Sequence, residues 1–282
     1  MGAFSTNSAL LFSIVIMFFT IYCSYRGFKS RAFFEKYLFS VEAILLFKDY
    51  KRLISSGFLH ANWIHLIFNI YAFFSFSEAL ESQLGSVQFL VIYFCSLLGG
   101  NLLTLYLHRS QGSYRAIGAS GAICGLIFAT VALFPGISIG LLFLPLQIPG
   151  WLFALLFVAI SIYGMRSNAG GISHDAHLGG ALTGMLTVIC MNPGVLRENY
   201  IPILCLTAPV IVFLIFIIAM PQLLLIRDSA KPRHSYSYMT RDEEYNLQKY
   251  NKQKAIDRIL DKINEKGLDS LTSQERELLD KF

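Results

Sequence analysis

Three short clusters hold the residues whose types and spacing could do chemistry. In His60-Ala-Asn-Trp-Ile-His65-Leu-Ile-Phe-Asn69, His65 and Asn69 are four apart and share one helix face, with His60 just ahead of that helix. Donors fixed on one face can stabilise a developing oxyanion, where electrostatic catalysis gains most in a low dielectric. The second cluster, Gly118-Ala119-Ser120-Gly121, stands where a polar loop (Arg109 to Ile117) gives way to an apolar helix. A serine there meets unsatisfied backbone N–H groups and the positive end of the macrodipole, both of which favour an adjacent oxyanion. The third is Ala176-His177-Leu178-Gly179-Gly180, followed by Gly184, with His177 at the top of its helix.

The glycines say how the last two clusters could meet. Gly121 and Gly125 are four apart, and so are Ala176, Gly180 and Gly184; small residues at that spacing let helices approach closely. If the two faces pack, Ser120 and His177 come together, and a neutral imidazole could take the serine's proton. Asp175 is two residues from His177 and points elsewhere on a helix, so a dyad is expected rather than a triad. Each cluster also has a plain structural use: His65 and Asn69 can hydrogen-bond neighbouring helices, Ser120 can cap a packing helix, and His177 can be satisfied by a neighbour. Asn101 is a further polar candidate, whereas Glu78 and Glu81 are expected at a helix end within reach of water.

The elements that must position these groups are membrane helices. Hydrophobic residues make up 55% of the 282, charged ones 15%, and the mean hydropathy is +0.54, too apolar for an ordinary soluble domain. Apolar stretches long enough to span are expected near 9–25, 63–80, 86–107, 118–135, 149–165, 175–192 and 201–220. Between the first two, residues 26–62 mix basic and aromatic side chains and read as an interfacial element; Gly140 to Pro149 reads as a connection. Residues 1–226 carry 11 Lys and Arg against 7 Asp and Glu, and residues 227–282 carry 12 against 11. The fold class expected is thus all-α and polytopic, with a helical core over 1–192, a seventh span within 193–226 and a polar tail over 227–282. In that tail Ile256, Ile259, Leu260 and Ile263 recur at helical spacing across Lys252–Lys266, and a second helix is expected around Leu271 to Leu279. The net charge of +5 suits membrane headgroups and argues against nucleic acid. Five widely spaced cysteines without a CxxC pair read as buried, reduced thiols, and the absence of HExxH argues against a zinc protease. No cofactor and no metal are expected.

As a set, HxxxxHxxxN (His60, His65, Asn69), GxSG (Gly118 to Gly121) and AHxxGxxxG (Ala176, His177, Gly180, Gly184) resemble the rhomboid intramembrane proteases over about residues 9–192. The resemblance implies a six-helix core, here with a seventh helix added, and cleavage of single-pass transmembrane proteins within the lipid bilayer by Ser120 and His177. It also implies an oxyanion site of His65, Asn69 and backbone at Ser120, with Gly118 and His60 in support. Arg52 falls where the family has a Trp-Arg pair, but Lys51 replaces the tryptophan. Cys124 stands where an aromatic residue commonly stacks on the histidine. The alternative from another class is an inactive rhomboid-like protein that binds membrane proteins without cutting them. A channel is a weaker reading, because no repeated polar face runs across the spans. The seven Lys and Arg of residues 26–52 favour a cytoplasmic first loop by the positive-inside rule, whereas the resemblance puts that loop outside. A bacterial inner membrane is the expected location.

Overall fold

The computed structural model describes residues 10–141, 144–167 and 173–219, together with Ile259, Lys262, Ile263 and Thr272. The chain divides into two units, Met1–Arg227 and Asp228–Phe282. The helices expected at 252–266 and 271–279 lie almost wholly outside the described residues.

The long helices among the described residues of the first unit are α1 (Leu11–Lys29), α2 (Trp63–Leu84), α3 (Ser86–Leu107), α4 (Ser120–Leu133), α5 (Gly150–Ser167), α6 (His174–Met191) and α7 (Tyr200–Ala219). All seven stretches expected as spans are therefore helical. By length and composition α1, α2, α3 and α7 suffice to cross a membrane, and α4 and α5 are shorter apolar helices. The chain is a multi-pass membrane protein. At 1.5 Å per residue the 14 residues of α4 reach only about 21 Å, less than the roughly 30 Å hydrocarbon core. The helix is buried on every side from Gly121 to Ala132, the pattern of a helix that sits inside its bundle. A short, fully enclosed helix is what lets its N-terminus, and Ser120, lie within the bundle rather than at its edge.

The centre of the bundle is α3, α4 and α6, which make the most extensive mutual contacts. α2 packs on α4, α1 on α2, and α7 against α5 with further contact to α4 and α6. Small residues set the closeness of the central trio. A Cβ at Gly180 would overlap the Gly121 carbonyl, one at Gly184 would overlap the Gly125 backbone, and one at Gly125 would fall 2.8 Å from the Gly180 carbonyl. On the third side, a Cβ at Gly179 would lie 3.0 Å from Gly100 Cα. The faces read from the sequence as complementary are thus packed backbone against backbone.

The first loop is more built than an interfacial strip. It folds into short helices at Arg31–Tyr37, Val41–Leu45 and Arg52–Ser55 and a 3-10 turn at Ser56–Phe58, burying Phe39, Val41, Ile44 and Leu53. Strand β1 (Phe39–Ser40) pairs antiparallel with β2 (Arg115–Ala116), so the loop is laced to the segment that leads into Ser120. Arg52 ties it internally, donating from Nη1 to the carbonyls of Glu35 and Leu38 at 2.7 Å each and from Nε to Asp49 at 2.9 Å. Lys51 is exposed and reaches Asp49 at 3.2 Å. The connection before α5 is also structured, as the hairpin β3 (Ser138–Leu141) and β4 (Leu144–Pro149), anchored by Tyr71, whose hydroxyl donates to the Gly140 carbonyl at 2.9 Å. These two small sheets sit within a mostly helical chain, and each joins loop segments that need backbone partners where no helix supplies them.

Three smaller expectations also change. Glu81 is buried, not open to water: it accepts from Phe12 N (3.3 Å), Ser13 N (3.1 Å), Ser86 Oγ (2.8 Å) and the Ser13 hydroxyl. It thereby satisfies orphan donors at the start of α1, where a carboxylate is favoured. Asn101 serves the fold, its Nδ2 donating to the Leu53 carbonyl at 2.7 Å and the Ser56 hydroxyl at 3.2 Å. All five cysteines are free, but only Cys23 and Cys124 are buried, whereas Cys190 and Cys205 lie on outward helix faces.

Because Gly180 meets Gly121 backbone to backbone, Gly180→Ala must push α6 off α4. We expect it to lower the stability of the detergent-solubilised protein by about 1–3 kcal/mol, the usual range for overpacking. Gly136→Ala, where a Cβ meets nothing within 4 Å, is the control and leaves the melting temperature unchanged.

Candidate active site

Ser120 opens α4 and is half-buried. The first intrahelical bond here runs from Ile123 N to the Ala119 carbonyl, which leaves the N–H groups of residues 120–122 without a helix partner. Gly118, two residues earlier, makes the turn into the helix with φ +120°, a conformation L side chains rarely adopt. Its N–H donates to the Ser56 carbonyl at 3.0 Å, so the approach to Ser120 hangs on the first loop.

His177 lies one turn into α6 and is buried, 7% exposed. Its Nε2 is 2.7 Å from Ser120 Oγ, across the α4–α6 interface that the glycines close. Its Nδ1 is buried with no hydrogen-bond partner among the described residues. Asp175 does not fill that place: Oδ1 accepts from the Ser173 hydroxyl at 2.9 Å and Oδ2 lies 3.3 Å from His108 Nε2. In geometry Ser120 and His177 form a pair with no carboxylate as third member.

No aromatic ring is available at Cys124, and others hold the imidazole. Phe157 of α5 lies 5.2 Å from it between ring centroids at 45°, and His174 lies 5.5 Å away at 85°. Nothing in the spacing of the sequence pointed to Phe157, because it comes from a helix that carries none of the three clusters.

The His60–His65–Asn69 cluster faces the same place. A Cβ on Gly118 would lie 3.1–3.2 Å from the His65 ring and 3.7 Å from Ser120 Oγ, so the imidazole stands beside the Ser120 hydroxyl over a position only glycine leaves open. The Ala61 N–H donates to His65 Nδ1 at 3.5 Å, which leaves Nε2 to carry the proton on the side facing Gly118. Asn69, one turn on, donates from Nδ2 to the His65 carbonyl at 2.9 Å and keeps a second amide hydrogen free. His60 is fully buried and packs edge-on to His65 at 4.9 Å. Burial pushes its imidazole down to about 3, so it is neutral. The Ser24 hydroxyl donates to the Phe58 carbonyl at 3.0 Å and so accepts from His60 Nδ1 at 2.9 Å, tying the cluster to α1. Ser24 was missed; a hydroxyl inside the apolar run of α1 was the available signal. Among the described residues no three His, Cys, Asp or Glu side chains gather as metal ligands.

Set beside known proteins, residues 48–194 match the Rhomboid domain family, and residues 239–282 match a family of unknown function, DUF6576. The chain is similar to "Rhomboid protein 1, mitochondrial" of Saccharomyces cerevisiae, 34% identical over 161 residues, which cover 55% of this chain and 45% of the yeast protein. It is similar to "Presenilin-associated rhomboid-like protein A, mitochondrial" of Danio rerio, 30% identical over 135 residues, covering 47% and 35%. With the rhomboid protein YdcA of Bacillus subtilis the identity is 34% over 147 residues, covering 51% and 69%. The chain thus spans less than half the length of the yeast and zebrafish relatives.

Two substitutions test this geometry by rate. Gly118→Ala drives a methyl into the His65 ring at a strained φ, and Phe157→Ala removes the ring beside His177. We expect each to slow the reaction of Ser120 with a fluorophosphonate at least tenfold, since small misplacements of reacting groups cost up to about a hundredfold. Retention of the helical circular dichroism of the parent checks that the fold survives.

Proposed function

The chain belongs to the rhomboid family, and from that premise we propose that it is an intramembrane serine endopeptidase in which Ser120 is the nucleophile and His177 the general base. The observation that carries the reading is the 2.7 Å contact between His177 Nε2 and Ser120 Oγ at the N-terminus of a buried helix. Ser120 Oγ attacks the scissile carbonyl carbon as its proton passes to His177 Nε2. The negative charge on the carbonyl oxygen is met by the free N–H of Ser120, the Nε2–H of His65 and the amide of Asn69. His177 then gives its proton to the leaving amine, and water repeats the sequence on the acyl-enzyme. Donors fixed in a place screened from bulk water need no reorganisation as the charge develops, which is where most of such a rate enhancement arises.

The substrates fitting this site are single-pass transmembrane proteins whose helix opens near one end, since only an extended segment exposes a peptide carbonyl to Ser120. In this reading residues 1–192 form the catalytic core, α7 is a seventh span appended to it, and residues 227–282 form a polar appendix. The bacterial inner membrane expected from the sequence belongs to the same proposal; one of the relatives is bacterial, and the yeast and zebrafish ones are named as mitochondrial.

We expect Ser120→Ala and His177→Ala each to abolish cleavage of a reporter transmembrane substrate co-reconstituted in liposomes, while both variants still insert. Asn69→Ala should retain a residue of activity, lower by about 10²–10³ for the loss of one oxyanion donor. Undiminished cleavage by either dyad variant contradicts the assignment.

A further inference from the structure

A second polar cluster lies beside the dyad without belonging to it. His108 caps the C-terminus of α3, stacked on the Tyr114 ring with centroids 3.6 Å apart and planes 12° from parallel. Both of its nitrogens face acceptors: Nδ1 is 2.9 Å from Gln111 Oε1, and Nε2 is 3.3 Å from Asp175 Oδ2. A neutral imidazole has a proton for only one of them, whereas the imidazolium can donate to both. Asp175 is 3% exposed and receives the Ser173 hydroxyl at 2.9 Å and the Tyr114 hydroxyl at 3.4 Å. Thr104 of α3 closes the ring of hydroxyls, its Oγ1 lying 3.4 Å from Ser173 Oγ.

The position of the cluster gives it a use. Asp175 is in the first turn of α6, two residues before His177, and Tyr114 is six residues before Ser120. The Tyr114 carbonyl accepts from Val41 N at 3.2 Å, so this loop is itself pinned to the first loop. A carboxylate buried without a cation is costly, and His108, a cation when protonated, lies at ion-pair distance from it.

We propose that protonated His108 and Asp175 form a clasp that holds the first turn of α6 against the loop leading to Ser120, making both positioning residues for the dyad. The inference rests on the protease reading for its catalytic consequence. The other titratable groups facing the pair are Tyr114 from the loop and His174 and His177 from α6 itself, both of which feel the Asp175 charge. Burial works against the charge on His108, but the Asp175 carboxylate and Gln111 outweigh it and raise His108 above its ordinary 6.5. Such a group contributes stability in full below that ordinary value and loses it as pH rises through the raised one. The clasp therefore opens on the alkaline side.

The test uses the intact chain in detergent and in liposomes, from about pH 6 to about pH 9. Thermal unfolding of Ser120→Ala, which needs no activity, should show a melting temperature that falls as pH rises, and His108→Leu in the same background should remove most of that fall. In the cleavage assay His108→Leu should lower kcat by about ten- to a hundredfold with KM unchanged. His108→Gln, which offers an N–H to Asp175 at every pH, should restore most of kcat and flatten the alkaline limb. A pH dependence of melting that is the same with and without His108 overturns the clasp, as does a wild-type kcat in His108→Leu. Absence of proteolysis in the parent, with the melting result intact, overturns the protease reading and leaves the clasp standing.

Discussion

Everything at this site depends on how closely α4 and α6 approach. Gly125 on one helix and Gly180 and Gly184 on the other leave no room for a single added carbon at the contact, and a Cβ at Gly121 would press at 3.1 Å on the Ala176 carbonyl, so the helix separation is set by backbone atoms rather than by side chains that could swing aside. A 2.7 Å hydrogen bond between two groups on different helices needs such a rigid reference. Side-chain packing alone would let the helices slide, and a small shift breaks the line between Oγ and Nε2. In lipid no hydrophobic force pulls helices together, so close van der Waals packing has to hold the pair.

Around that contact the structure divides the labour between loops and helices. Gly118 and Ser56 fix the entry to α4, Arg52 and the β1–β2 pairing fix the first loop, and Ser24 ties His60 to α1. Polar groups at membrane depth are costly, roughly 2.5–3.5 kcal/mol for a charge by insertion scales, and Glu81, Asn101 and Ser24 each have hydrogen-bond partners. Among the described residues the buried atoms without a hydrogen-bond partner include His60 Nε2, Asn69 Oδ1 and His177 Nδ1 at the site, and Tyr93 Oη, Ser161 Oγ and Asn192 Nδ2 elsewhere.

Much of this was legible in the residues. Hydropathy located the long helices among the described residues, and the four-residue spacing of small residues named the two faces that meet, because both signals are local and follow from helix geometry. The dyad followed from placing Ser120 and His177 at the tops of those faces. What the chain order concealed was partnership between distant segments. Phe157 as the ring beside His177, Glu81 as the acceptor for the start of α1, and His108 opposite Asp175 depend on tertiary neighbours that no spacing encodes. The two small sheets escaped notice for a similar reason: Phe39–Ser40 pairs with Arg115–Ala116 across the whole of α2 and α3, and two residues carry no periodicity.

The central claim, that Ser120 is a nucleophile because His177 is held against it, is tested most directly by fluorophosphonate labelling of the protein in native membranes, with the modified peptide identified by mass spectrometry. The account expects a single adduct on the peptide bearing Ser120, lost when His177 is replaced by Ala although the protein still folds. Labelling that persists at Ser120 without His177, or that falls on another serine, contradicts it.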